Sequence, residues 1–353
     1  MTSSASRIIW IDLLRGLAIL LMIPANITPH LELPHPLYER VFASLAAPLF
    51  LAVSGYMVLS TAHRHNLQYY LKRGGIIILM GALVDVGIWR IYPFFTADVL
   101  YTIGLGLPFL YLLRKSSPTS LVIILLTLFA ASPLLVSAFG YQAYPVEPKL
   151  DGGFPESITP MFRQWFVDGW FPLTPWLGFA VLGGTLRRLH APKDETWQQQ
   201  GFIIGGAVAL IAAGVVLMIH PVLPASVPWN EIFIREGYSE LIYPPVPGYL
   251  IASLGAVFVF FIAFSNLATA GFQPLQWLGK HALFVYIFHQ LLTEYLLDPV
   301  TRMAGLSEKL TEPQYWLATA IIILICVASA YYLEQVQRRY KPRLLLAKMF
   351  LGS

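Results

Sequence analysis

One cysteine, Cys326, stands in a chain of 353 residues. No disulfide framework can form within one chain from it, and cysteine usage leaves the compartment open. Charge is the larger deficit. Only 12% of the residues are Asp, Glu, Lys or Arg, against about 25% in a soluble domain. With 57% hydrophobic residues and a mean hydropathy of +0.64, this composition excludes an ordinary soluble enzyme. The formal net charge of +4 is no nucleic-acid footprint, because the basic residues sit in short clusters between apolar runs. A His-Glu-x-x-His metal spacing, a phosphate-cradling glycine loop and a serine nucleophile elbow are all missing. So are low-complexity tracts, a clear repeat and a separate soluble domain.

What is present is a succession of apolar runs near the length a helix needs to cross a bilayer. Ten intervals qualify, at about 8–28, 41–61, 74–93, 98–113, 119–139, 173–188, 201–220, 246–266, 280–297 and 314–334. We read residues 1–353 as a single integral-membrane domain: an all-α, polytopic transmembrane helix bundle of about ten spans. Aromatics at 14% suit interfacial belts. The first apolar run reads as a retained span, because Asp12 and Arg15 would interrupt the core of a cleaved signal.

Lys and Arg in the short loops predict orientation. One side receives Arg7, then Arg64, Lys72 and Arg73, then Arg114 and Lys115, then Arg187, Arg188 and Lys193, then Lys280 and a basic tail with Arg338, Arg339, Lys341, Arg343 and Lys348. The other side carries Glu32, Glu39 and Arg40, then Glu147, Asp151 and Glu156, then Glu231, Glu236 and Glu240. Both termini are therefore expected in the cytoplasm, which an even number of spans satisfies. Two long outer segments, 140–172 and 221–245, hold many aromatics, among them Trp165, Trp170, Trp229, Phe233 and Tyr243. These read as interfacial belt or packed loop, and also as surfaces able to stack on sugar rings.

The first span keeps Asp12, Arg15 and Asn26 inside its apolar run. At about 100° per residue, Arg15 and Asn26 lie roughly 20° apart on the helical wheel, and Asp12 lies within about 60° of both. At about 1.5 Å per residue, Asn26 sits some 16 Å beyond Arg15. Polar groups inside a membrane are costly and usually face a bundle interior or a wet cavity. The Asp12–Arg15 spacing also suits an ion pair tying helices together. Asn26 reads either as a polarising amide or as a helix-end cap, and Pro24 before it is expected to bend or end the helix.

A base working near neutral pH is most often a histidine. His30 and His35 follow the first span, and Pro34 and Pro36 stiffen the backbone around His35. His289 falls within the ninth span, with Tyr286 and Thr293 on its face; it reads equally as a functional group and as an inter-helix hydrogen-bonding residue. Asp85, Arg90 and Asp98 are further charges within or at the edge of spans. Pro172 to Gly178 opens the sixth span, and Gly183 and Gly184 follow, which read as residues permitting close helix contact.

Together these residues resemble the catalytic domain of the heparan-α-glucosaminide N-acetyltransferase family, within the wider transmembrane acyltransferases. The stretch Arg7 to Met22 resembles the family's opening Asp-x-x-Arg-Gly and apolar run, and Asn26 falls where that family carries an Asn. Polysaccharide O-acetylases carry a His there, which favours the N-acetyltransferase branch. Ala47 to Gly55, Tyr70 to Gly74, Asp98 to Gly104, Pro175 to Gly178 with Gly183, and Leu283 to His289 resemble further family segments in the same order.

The resemblance implies transfer of an acetyl group from cytoplasmic acetyl-CoA to an amino sugar or glycan acceptor, typically a glucosamine amine, outside a bacterial inner membrane. It implies a loop histidine as catalyst; His35 matches through its distance to Pro48, and His30 rivals it. Asn26 and His289 complete the expected catalytic set. Asp12, Arg15, Arg73 and Lys280 are the expected donor-binding residues, the cations meeting phosphates of acetyl-CoA. A homodimer within membrane lipid follows by the same resemblance. The alternatives are O-acetylation of an envelope polysaccharide and a transporter without acyl chemistry.

Overall fold

The computed structural model describes residues 8–142, 144–189, 197–219, 237–238, 241, 243, 245–266, 272–303 and 309–339. Arg7, Lys193, Trp229, Glu231, Phe233, Glu236, Glu240, Lys341, Arg343 and Lys348, named above, lie outside them. Among the described residues the chain is all-helical, and the only β pairing consists of two isolated bridges.

The helices are α1 (Ile9–Ile27), α2 (Leu37–Ser44), α3 (Ala46–Thr61), α4 (Leu67–Val84), α5 (Val99–Leu112), α6 (Pro118–Phe139), α7 (Thr159–Arg163), α8 (Leu173–Leu189), α9 (Trp197–Ile219), α10 (Pro247–Asn266), α11 (Gln273–Lys280), α12 (Ala282–Leu292), α13 (Asp298–Met303) and α14 (Glu312–Arg339). Every one of the ten predicted intervals carries helix. By length and composition, five helical stretches among the described residues can cross a membrane: Ile9–His30, Leu37–Thr61, Pro118–Phe139, Pro247–Asn266 and Glu312–Arg339.

Local chemistry sets several boundaries. Asn66 and Ser117 each accept a hydrogen bond at 3.1 Å from the backbone N–H three residues on, capping α4 and α6. Pro118 opens α6, where its missing N–H costs nothing. Pro48 falls in the first turn of α3 for the same reason. Pro24 does not end α1, which runs on to Ile27 and continues as a tight turn through His30.

Three predicted spans are broken more than expected. Residues 41–61 divide at Leu45 into α2 and α3. The third interval ends in a wide π turn, Asp85–Trp89, closed by Arg90 in the left-handed region at φ 55°. The ninth divides at His281 and widens again at Thr293–Leu297.

α1 is the central helix and packs against α2, α3, α10, α11, α12 and α14. Arg15, Arg188 and Lys280 draw basic segments toward one end of the bundle. Arg15 donates to the Gly279 carbonyl at 3.1 Å, Arg188 to the Arg114 carbonyl, and Lys280 pairs with Glu334. At the opposite end, Leu31 bridges Leu310 and Ile91 bridges Lys149. Trp170 and Phe171 donate their backbone N–H groups to Thr96 and Ala97.

Candidate active site

A cavity of about 950 Å³ runs between these two ends. Its wall includes Arg15, Tyr69, Arg73 and Lys280 at one end, and His30, Trp89, Arg90, Glu147, Lys149 and Trp170 at the other. Asn26, Asp98, Tyr286 and Gln290 line it between. The polar face of the first span therefore has an object. Asp12, Arg15 and Asn26 all border this one space, as their shared side of the helical wheel requires.

At the first of these ends Arg15 bonds Asp12 at 3.1 Å, and Asp12 is 7% exposed. The close approach of α1 and α11 positions this pair. A Cβ on Gly279 would lie 1.8 Å from the Asp12 carbonyl oxygen, so only glycine lets the two backbones meet there. Arg73, on α4, donates to the Tyr69 hydroxyl at 2.9 Å, and Tyr69 stacks on His65 with ring centroids 3.8 Å apart. Desolvation lowers the His65 pKa, and the cations Arg73 and Arg64 lower it further. Lys280 is held by Glu334 of α14. The four expected donor-binding residues thus all line this cavity.

The middle layer hangs on α12. Gln290 donates Nε2–H to Asn26 Oδ1 at 2.8 Å. Asn26 in turn donates Nδ2–H to the Met22 carbonyl at 3.0 Å. A carbonyl can only accept, so the Met22 contact fixes which end of the Asn26 amide is nitrogen. Each of the two amide nitrogens carries a second hydrogen. One turn earlier on α12, Tyr286 donates to both oxygens of Asp98, at 3.0 and 3.1 Å.

The histidines divide. His30 lines the cavity, with Nε2 2.5 Å from Asp298 Oδ1 and Nδ1 3.3 Å from the Ile27 carbonyl. His35 is not on the cavity wall. It is 8% exposed, and its Nε2 lies 3.2 Å from the Leu31 carbonyl. Desolvation lowers the His35 pKa, with Arg40 and Lys309 adding to the effect and the Leu31 hydrogen bond opposing it. His289 is fully buried beside the lining residues Tyr286 and Gln290, yet is not itself on the wall. Its Nδ1–H meets the Val285 carbonyl at 3.0 Å, and its Nε2 has no hydrogen-bond partner among the described residues.

The cavity therefore gathers Asn26, Asp12, Arg15, Arg73 and Lys280 of the expected residues, and leaves His35 and His289 behind its wall. Sequence reasoning gave no role to Gln290 or to Asp298. Gln290 adjoins the His289 already singled out, and its register one turn after Tyr286 was the available signal. The pairing of Asp298 with His30 spans 268 positions, and nothing local announces it.

The profile of a family described as heparan-alpha-glucosaminide N-acetyltransferase, catalytic, matches residues 7–202. A second profile, described as protein of unknown function (DUF418), matches residues 187–339. No curated protein matches the chain.

Proposed function

Because the chain belongs to the heparan-alpha-glucosaminide N-acetyltransferase catalytic family, we propose that this membrane acetyltransferase-like protein moves an acetyl group from acetyl-CoA to the amine of a glucosamine-like sugar. The observation that carries the reading is a cavity with Arg15, Arg73 and Lys280 at one end and a paired amide layer with a histidine–carboxylate pair beyond it. Arg15, Arg73 and Lys280 receive the donor's phosphates as charge-assisted hydrogen-bond donors. The thioester carbonyl meets the second N–H of Asn26 and that of Gln290. Two preorganised donors there stabilise the negative charge that develops on the carbonyl oxygen.

His30 lies at the wall of the cavity, and Asp298 orients its ring. In this reading His30 takes a proton from the attacking amine, as a general base must from within hydrogen-bond reach. The family spacing to Pro48 supports His35 instead, so both histidines enter the test. Purified protein is supplied with acetyl-CoA and glucosamine, and thiol release is followed together with N-acetylglucosamine formation. The expected outcome is acetylation in the native protein and a loss of about a hundredfold or more in kcat for His30→Ala, in the range set by removing a general base. Asn26→Ala is expected to lose a similar factor, as for a lost oxyanion donor. A silent His30→Ala with an inactive His35→Ala would transfer the base to His35. Acetylation of glucose with none of glucosamine would replace the amine acceptor by a hydroxyl.

A further inference from the structure

Two buried aspartates flank the turn between α4 and α5, and they differ in what surrounds them. Asp85 is 1% exposed and off the cavity wall. The loop after it and the first turn of α5 serve it: the Tyr101 hydroxyl, the Phe94 backbone N–H at 3.3 Å and the Thr96 hydroxyl at 3.5 Å all donate to it. Asp98 is 5% exposed and stands on the cavity wall. It caps α5 through the Leu100 N–H at 2.9 Å and accepts from Tyr286. Among the described residues no Lys, Arg or His pairs with it. A carboxylate inside a membrane bundle is expensive unless a cation or a full set of donors meets it.

Asp98 also stands beside the proposed reaction layer. Tyr286, which holds Asp98, and Gln290, which holds Asn26, are four residues apart on α12. That is one helical turn, or about 6 Å of rise. The carboxylate and the amide pair are therefore held from adjacent turns of one helix, and both line the same cavity.

We propose that Asp98 is the receptor for the acceptor's ammonium group, so that the cavity selects cationic amines over neutral hydroxylic sugars. The inference rests on the amine acetylation proposed above. An amine at neutral pH enters mostly as R–NH3+, whose nitrogen has no lone pair to attack. Asp98 pairs with that cation and takes its first proton, becoming a neutral carboxylic acid. The freed nitrogen forms the C–N bond to the thioester carbon while the carbonyl electron pair moves onto oxygen. Collapse of that adduct breaks the C–S bond, and the second nitrogen proton passes to His30. Coenzyme A leaves as thiolate and is protonated, and the proton on Asp98 returns to water. Tyr286 is a positioning residue here, fixing the carboxylate through both oxygens.

Asp98→Asn separates this role from helix capping, because Asn caps a helix as well as Asp does while lacking the charge. In the full-length protein in detergent, kcat/KM for glucosamine is expected to fall roughly a hundredfold, the scale of breaking a buried charge pair. The KM for acetyl-CoA, the thermal shift on adding acetyl-CoA and the inhibition constant of glucose as a neutral analogue should all stay as in the native protein. Full glucosamine activity in Asp98→Asn overturns the proposal. So does a variant in which the acetyl-CoA shift and the glucose inhibition weaken along with glucosamine turnover, since that pattern is a structural role. A native protein that binds acetyl-CoA and acetylates no amine would remove the underlying reading, and the role of Asp98 with it. Native activity lost selectively toward glucosamine in Asp98→Asn supports both.

Discussion

His35 shows how a single side chain ties pH to folding. Its ring is buried against the Leu31 carbonyl, and the charges of Arg40 and Lys309 act on it. Desolvation is the largest influence, and it holds the pKa below the ordinary value of 6.5. The unfolded chain therefore takes up a proton near pH 6.5 that the folded chain refuses. Where the unfolded state binds more protons, stability rises with pH. The stabilising effect of a neutral buried His35 is thus complete above 6.5, and is lost as pH falls from there toward the lower folded value. Thermal unfolding in detergent at pH 7.5 and pH 5.5 should show a larger acid loss of Tm in the native protein than in His35→Gln. An equal loss in both would contradict the burial argument. At this scale the sequence was legible where one helix decides the geometry: Asp12, Arg15 and Asn26 share a face because a helix turns about 100° per residue. It was illegible where two distant segments meet. Asp298 reaches His30 and Gln290 reaches Asn26 only after folding, and which of the rings of His30 and His35 borders the cavity is likewise a matter of tertiary structure.

Helix pairs in this bundle are fitted together at glycine. On α3, a Cβ at Gly55 would lie 1.8 Å from the Ala180 carbonyl oxygen of α8, and at Gly183 of α8 one would lie 1.7 Å from that of Ala52. These are backbone atoms of two packed helices, which cannot swing aside as a flexible side chain does. Gly55→Ala or Gly183→Ala must therefore push α3 and α8 apart. The expected cost is at least the 1–3 kcal/mol or so of an overpacked core, seen as a lower Tm in detergent. Gly205 on α9 is the internal contrast, since nothing lies within 4 Å of where its Cβ would be. Gly205→Ala should leave Tm unchanged or raise it, because Ala is favoured over Gly in a helix by roughly 1 kcal/mol. A Gly183→Ala protein as stable as Gly205→Ala would refute the close-contact account. The small residues of the sixth interval had already marked it as a place of close approach. The interruptions at Leu45, His281 and the two π turns were not marked, because Asp85, Arg90, Lys280 and Glu294 sit singly inside otherwise apolar runs and do not bring the run to an end. Hydrophobic runs reveal where a helix has apolar company, and a break inside such a run leaves the composition unchanged.

For the molecule as a whole, sidedness decides whether the cavity can serve as a route between two compartments. Basic residues in short loops mark the cytoplasmic face, and Arg64, Arg114, Lys115, Arg187 and Arg188 all lie in segments between helices or at helix ends on one side of the predicted topology. The opposite side carries Glu147, Asp151 and Glu156 in the 140–172 segment. Because Cys326 is the one cysteine in the chain and is buried, single cysteines can report each face once it is replaced by Ala. Thr119→Cys sits at the start of α6 beside Arg114 and Lys115, and Glu156→Cys sits in the 140–172 segment; both positions are exposed. A membrane-impermeant maleimide added to intact bacterial cells should label Glu156→Cys at once and Thr119→Cys only after permeabilisation. Inverted vesicles should give the reverse order. If Thr119→Cys labels from outside, the positive-inside assignment is wrong and the donor end of the cavity faces away from the cytoplasm. The same vesicles then test the route itself. Acetyl-CoA supplied outside inverted vesicles has access to the face of Thr119, while glucosamine trapped within has access to the face of Glu156. Acetylated sugar should accumulate inside such vesicles, and native-side-out vesicles given the same arrangement should form none. Equal product in both orientations would mean that donor and acceptor enter by one face, and the end-to-end extent of the cavity would then have no part in the transfer.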